Sequence, residues 1–456
     1  MGTRFTVSFP GGHPLLPARP SQRSVTRGPG AASTRVNRVE RFVQRFFSSR
    51  RGDFRRPICR ACSHLPVTSR AVLLSAAVVL WLSSADAATA DAGGPAVAPV
   101  DAGVPDAGPS IPPQLLYPRP LGRKVDEARV ERVLASLDTQ AKVAQLLLAY
   151  PQIDRVGPVR VGGVLFVGNS LRNVEKAREK IDAARVRAAV PPFFAVDMEG
   201  GASNRLGSVR SLRGMPGARE LAGLDDGQVK SWGRKVGAVM KGIGLNLNLA
   251  PVFDVAPSGH MERNQRSFSG DAGVVQAKAS AYARGLLEEG VVPIGKHFPG
   301  YGDIDGDSDH AFVTCDWPKE RVLAEAAVFE RAEPFLGGVM LANVAYASFD
   351  ERPAILSPAL VALVHQHDWL AVTDDISIQV LADAIGGTKE DVLVAAFRAG
   401  NDLLLTTAPP DWNKGTDYVG VLTRLVEHDA AARAQLDAAA RRVLRLKDRM
   451  GLLDGL

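Results

Sequence analysis

Gly290-Val291-Val292-Pro293-Ile294-Gly295-Lys296-His297-Phe298-Pro299-Gly300-Tyr301-Gly302 is the stretch on which the fold turns. Its first six residues are an apolar run of the kind found in a strand covered on both faces. The run ends on a lysine and a histidine, which a buried strand does not need for its own stability. The chain then continues Asp303-Ile304-Asp305-Gly306-Asp307-Ser308-Asp309-His310, so the fifteen residues from Lys296 hold one lysine, two histidines and four aspartates. A solvated acidic turn would account for the aspartates but not for Lys296 and His297 at the strand's end. The stretch therefore reads as a strand whose C-terminal end opens into a site-bearing loop.

The same pattern recurs on both sides of it. Short apolar runs lie at 161–167, 193–196, 245–255, 338–342, 370–372 and 402–405, separated by helical candidates at 173–189, 226–241, 274–289, 319–335, 358–367 and 389–399. Upstream, Val130, Val133, Leu134 and Leu137 recur at helical spacing, and 139–148 continues as helix. Downstream, 429–453 is an amphipathic helix that Gly451 can stop. Alternation of this kind means a parallel sheet with crossover helices, either doubly wound or closed into a barrel. Polar residues follow five of the strands: Asp197, Asp254, Lys296-His297, Asn343 and Asp374-Asp375. A doubly wound sheet gathers ligands at one crevice, whereas a barrel gathers side chains from many strand ends on one face. Five such ends, with no glycine-rich dinucleotide or phosphate loop after the first strand, favour the α/β class and a TIM-type (β/α)8 barrel over 114–456.

The rest of the chain is of another kind. Overall, 46% hydrophobic and 23% charged residues describe an ordinary globular protein, so the net charge of +6 needs a local explanation. Residues 1–70 contain fourteen arginines, no lysine and two acids, which leaves the remainder at −6. A nucleic-acid partner is not indicated for the folded part. Arg70 is followed by a twelve-residue apolar run, 71–82, and by Ala85-Asp86-Ala87, a small-residue exit. Basic flank, short core and exit read as a secretory signal within a leader at 1–87. The run is short for a bilayer span, so a membrane tether would require an uncleaved signal. Residues 88–113, rich in Ala, Asp, Gly and Pro without bulky aromatics, read as a disordered linker. An exported, periplasmic or extracellular monomer is the expectation. Cys59, Cys62 and Cys315 do not make a disulfide framework, and no metal or cofactor is called for.

Two chemistries fit the polar strand ends. His297, Asp303, Asp307, Asp309 and His310 could bind a divalent ion, but a calcium loop starting at Asp303 would need an acid where Thr314 stands. Glycoside hydrolysis fits better. Asp374 and Asp375 are neighbours, so regular strand geometry aims only one of them at the barrel mouth, as nucleophile. A histidine oriented by an aspartate serves as acid/base near neutral pH, and a glycine-rich loop can bring it in. Asp197, Arg205, Arg266, Lys296 and His297 would then hold sugar hydroxyls.

These residues resemble a known family. Lys296 to Gly302 with Asp307-Ser308 is similar to the Lys-His-Phe-Pro-Gly-His-Gly…Asp-Ser-His signature of family 3 glycoside hydrolases of the single-domain β-N-acetylhexosaminidase type. Val372 to Ser377 resembles their nucleophile strand, Asp197 to Leu206 their Asp-x-Glu-Gly-Gly-Arg segment, and Leu249 to Val255, Arg266 to Phe268 and Arg442 to Lys447 further blocks. The resemblance implies a TIM-type barrel that cleaves terminal β-linked N-acetylglucosamine by a retaining mechanism. Asp374 would be the nucleophile and His310, helped by Asp307, the acid/base, with carbohydrate, including peptidoglycan fragments, as the partner. The chain departs from the motif at Tyr301, at Ala202, at Asn343 and by one extra residue before His310. Three outcomes stay open for that loop: His310 reaches the sugar, Asp309 is the acid, or the protein binds glycan without turning it over.

Overall fold

The computed structural model describes Leu121 and residues 123–149, 161–408 and 417–456. The leader, its apolar run and the linker lie outside the described residues. Among the described residues ten short strands form: β1 (Leu147–Ala149), β2 (Gly163–Phe166), β3 (Phe193–Val196), β4 (Leu247–Asn248), β5 (Val292–Phe298), β6 (Val313–Cys315), β7 (Gly338–Leu341), β8 (Val344–Tyr346), β9 (Leu370–Thr373) and β10 (Leu404–Thr406). Eight of them make one parallel sheet in the order β10-β1-β2-β3-β4-β5-β7-β9. The outer two strands also meet. Val372 bridges Leu403 in parallel, and Leu403 N–H donates to the Ala371 carbonyl at 3.1 Å. The sheet thus closes on itself as a TIM-type barrel, with β6 and β8 paired as a separate ribbon.

Strand alternation decides what fills it. Leu148, Leu165, Phe193, Ala195, Val292, Ile294, Met340, Leu370, Val372, Leu403 and Leu405 point inward and form one apolar cluster. Their neighbours Leu147, Val164, Phe194, Val196, Val339, Ala371 and Leu404 point outward and join the larger cluster under the helices. A period of two on each strand therefore packs both sides of the wall. The helices over it are held close. Helix Asp226–Ile243 begins with a capping box between Asp225 and Gln228 and ends on Gly244 at φ 96°. It packs glycine to backbone on helix Ala272–Glu288, since a Cβ on Gly233 would sit 2.3 Å from the Tyr282 carbonyl oxygen.

Two expectations change. The helix read over 139–148 ends at Gln145, and Leu147–Ala149 becomes β1. The apolar run there serves both elements, so periodicity could not divide them. The run at 245–255 yields only a two-residue strand, because Pro251 has no N–H to continue the ladder. Side chains add to the pairing with β3: Asn246 Oδ1 accepts from Phe194 N at 2.7 Å and Asn248 Oδ1 from Met198 N at 2.9 Å. Among the described residues no helix is long and apolar enough to cross a membrane.

The end of the barrel opposite the polar strand ends is closed by helix Ala430–Arg449. Val443 and Leu446, with Met450 just beyond, join the inner cluster. Between them Lys447 is fully buried, its Nζ 2.6 Å from Gln145 Oε1 and 5.0 Å from the centre of the Phe193 ring. Burial alone pushes this lysine down to about 7. The unfolded chain therefore holds a proton that the native state lacks between about pH 7 and the ordinary lysine value near 10.4. The penalty is full below that window and disappears as pH rises through it. Lys447→Met should raise stability by about 1 kcal/mol or more at pH 6 to 7, and the gain should shrink toward pH 10. Denaturation of both proteins across that range checks it, and a difference independent of pH would contradict it.

Candidate active site

The inward positions of the strands continue past the apolar core into a cavity of about 1050 Å³. On β3 the inward series Phe193, Ala195 runs on to Asp197 and Glu199. On β5 Val292, Ile294 runs on to Lys296, and on β9 Leu370, Val372 runs on to Asp374. Val167, Leu249, Met340, Leu405 and Thr407 line the same floor on the same parity. The chain thus changes from apolar to charged one layer above the core, at the C-terminal ends of the strands.

Lys296 is the centre of that layer. Its ammonium, only 4% exposed, lies 2.7 Å from Glu199 Oε1 and 2.9 Å from Asp197 Oδ1. Arg266 grips Glu199 with both arms of its fork, Nη2 to Oε1 at 2.7 Å and Nε to Oε2 at 2.9 Å. Arg205 Nη2 holds the other oxygen of Asp197 at 2.9 Å. Burial works against every charge here. For Glu199 it is outweighed by Lys296 and then Arg266, which hold the carboxyl well below the usual range. For Lys296 burial is outweighed by Asp197 and Glu199, and its pKa rises. Glu199 and Lys296 are therefore both ionised at neutral pH. Arg205 Nε is buried without a hydrogen-bond partner among the described residues, a donor left over from the network.

His297 is the next residue on β5, yet it faces the same cavity. The pairing of β5 with β7 shifts register between Lys296 and Phe298, which lets two successive side chains turn to the mouth. The buried Asp254 fixes His297 with both oxygens: Oδ2 lies 2.8 Å from the ring Nδ1 and Oδ1 accepts the His297 N–H at 3.1 Å. The same Oδ1 accepts the Tyr301 N–H at 2.7 Å.

The two aspartates after β9 are used differently. Asp375 is tied into the next loop, with Oδ1 accepting Ser377 N–H at 2.9 Å and Oδ2 accepting the Thr407 hydroxyl. Asp374 accepts the Asp375 N–H at 2.8 Å and has no ionic partner among the described residues. Burial raises its pKa, His297 opposes the rise and Asp309 adds to it. Asn343, expected as a polar strand end, donates to the Asp375 carbonyl at 3.3 Å and supports this turn from β7.

The acidic loop disperses its charges. Asp303 meets Arg321 at 2.8 Å, Asp305 meets Arg263, and Asp307 Oδ2 lies 2.9 Å from His310 Nδ1. The extra residue does not separate Asp307 from His310. A tight turn, with His310 and Ala311 N–H both donating to the Asp307 carbonyl at 3.1 and 3.0 Å, brings them together across three positions. Burial opposes the Asp307 charge, but the His310 ring and the Asp309 N–H outweigh it and lower its pKa. His310 itself is 82% exposed at the cavity rim. With Nδ1 engaged by the carboxylate, Nε2 is left for proton exchange.

Asp197, Arg205, Arg266, Lys296, His297, Asp307, His310 and Asp374 all line this one cavity. Three contributors were absent from the sequence-derived set of site residues. Glu199 was legible as the next inward position after Asp197, and Asp254 as a carboxylate at a strand end. Tyr301, which stands in the signature without titrating near neutral pH, gave no comparable signal. Ala202, where the signature has arginine, lines the cavity with a methyl group.

Residues 139–446 match the model of the glycosyl hydrolase family 3 N terminal domain. The β-hexosaminidase LpqI of Mycobacterium tuberculosis is 32% identical over 337 residues, covering 70% of this chain and 84% of its own. A β-hexosaminidase of Idiomarina loihiensis is 29% identical over 253 residues, covering 54% of this chain and 76% of its own. The solved β-N-acetylhexosaminidase of Beutenbergia cavernae superposes with a TM-score of 0.60 at 27% identity, covering 68% of this chain and 98% of that one. With the closed barrel, the charged layer at its mouth and this shared sequence, the chain belongs to the family 3 glycosyl hydrolases and is a glycosidase of the β-N-acetylhexosaminidase type.

Proposed function

We propose that this chain removes terminal β-linked N-acetylglucosamine by a retaining double displacement. Asp374 attacks the anomeric carbon while His310, protonated and held by Asp307, gives its proton to the departing glycosidic oxygen. The neutral imidazole then takes a proton from water, whose oxygen displaces Asp374 from the same carbon and restores the starting state. Asp197, Arg205, Arg266, Lys296 and His297 hold the sugar's hydroxyls. One observation carries the reading: a carboxylate without an ionic partner shares its cavity with an imidazole already hydrogen-bonded to an aspartate. The names of the relatives, β-hexosaminidase and β-N-acetylhexosaminidase, support the sugar.

The volume of the cavity, at the upper end for small-molecule sites, leaves room for more than one ring. With the signal-like run at 71–82, that supports an exported enzyme acting on cell-wall glycan, including peptidoglycan fragments. N-terminal sequencing of secreted protein and a panel of N-acetylated and plain β-glycosides test those two extensions.

Asp374→Asn should abolish release of a chromogenic group from a β-N-acetylglucosaminide, and His310→Ala should slow it by about 10²- to 10⁴-fold. An unchanged His310→Ala rate would remove that residue from the mechanism. The raised pKa of Asp374 fixes the sign of the pH dependence. A nucleophile must be ionised, so the acid limb of kcat/KM should lie above the ordinary aspartate value of about 3.9. Asp309→Asn removes a like charge and should move that limb to lower pH with little loss at the optimum. A large loss at the optimum would instead make Asp309 the acid.

A further inference from the structure

We infer that the Tyr301 hydroxyl is a positioning group for the acid/base pair, bracketing Asp307 by binding the backbone on either side of it. The hydroxyl donates to the Gly306 carbonyl at 2.7 Å and accepts the Ser308 N–H at 3.1 Å. Gly306 and Ser308 are the residues immediately before and after Asp307. Tyr301 is itself buried and tied to the strand end. Its side chain is 4% exposed, and its N–H is held by the same Asp254 oxygen that receives the His297 N–H. Its ring lies 6.0 Å from the His297 ring and 5.9 Å from the His260 ring. One side chain therefore connects the rigid strand end to the middle of the loop.

The loop needs such a tie. Its first half has its own anchors: Arg321 on Asp303, His260 N–H on the Ile304 carbonyl at 2.8 Å, and Arg263 on Asp305. Past Asp305 the hydrogen bonds of Asp307, Asp309 and His310 are internal to the turn. Neither member of the pair is packed, since the side chains of Asp307 and His310 are 41% and 82% exposed. Among the described residues, the Tyr301 hydroxyl is the hydrogen-bonding side chain that reaches the 306–308 backbone from outside the loop. A phenol can bind one acceptor and one donor at once at the end of a long rigid ring, which suits two backbone groups two residues apart. The signature has histidine at position 301 and a loop one residue shorter, so both departures meet at this contact.

The inference rests on the proposed mechanism for its kinetic consequence, but its structural content can be tested without turnover. In hydrogen exchange on the full chain, the Ser308 amide should be protected in the wild type. Tyr301→Phe should lose that protection while protection across β5 is kept. The kinetic test uses two β-N-acetylglucosaminides, one with a poor alkyl leaving group and one with 2,4-dinitrophenolate, which departs without a proton. Tyr301→Phe should lower kcat/KM, which reports the glycosylation step alone, by about ten- to a hundredfold on the first and by less than about threefold on the second. Equal losses on the two substrates would overturn the positioning role and mark Tyr301 as merely structural. An unprotected Ser308 amide in the wild type would overturn it without any variant, even if Tyr301→Phe failed to fold. A wild type inactive on both glycosides, with Ser308 protected, would sink the proposed function and leave the clamp standing.

Discussion

A buried ammonium governs this site. Lys296 sits on the inward face of β5 directly above the apolar core, where an unpaired charge would cost several kcal/mol. Two carboxylates from the loop after β3 meet it; Arg205 of the same loop holds Asp197, and Arg266 from the loop after β4 holds Glu199. Each carboxylate has two cationic partners, so removing Lys296 or one arginine leaves it singly paired, whereas removing Glu199 takes from Arg266 its ion-pair partner among the described residues. The network therefore determines where the loops after β3 and β4 must lie, and so the shape of the pocket. It also explains a division of labour among the carboxylates. Asp197 and Glu199 are saturated by cations, whereas Asp374 keeps an unneutralised carboxylate at the floor.

The rigid and adjustable parts of the site meet at Asp254. This buried carboxylate receives the backbone of His297 and Tyr301 and the ring of His297. Everything on its strand side is fixed by β5 and its neighbours. On its other side the chain leaves the sheet, and the 303–310 loop is located by individual polar contacts. A loop built this way can carry an acid/base over a bound sugar and release it again, because each contact is worth only about 1 kcal/mol.

Much of the fold and part of the site were legible in the sequence. Period-two patterning marks inward residues, so Asp197, Lys296 and Asp374 could be placed at strand ends from their spacing behind apolar runs. Parity allowed only one of Asp374 and Asp375 to face the mouth, and the resemblance to the family's nucleophile strand named Asp374. What escaped had no period to show it. β1 is three residues long and continuous with a helical apolar stretch, and β6 and β8 are equally short. The Asp307–His310 contact depends on a turn made by backbone bonds, so the spacing alone left three outcomes open. Tyr301 acts through carbonyl and amide groups, which carry no side-chain signature.

The central claim is that the inward aspartate of β9 forms a covalent bond to the sugar. The most direct measurement is trapping with a 5-fluoro-N-acetylglucosaminyl fluoride, which forms glycosyl-enzymes readily and loses them slowly, followed by peptide mass spectrometry. The account predicts one sugar adduct per chain on the carboxylate of Asp374. Turnover of the reagent with no adduct, or an adduct on Asp375 or another carboxylate, would contradict it.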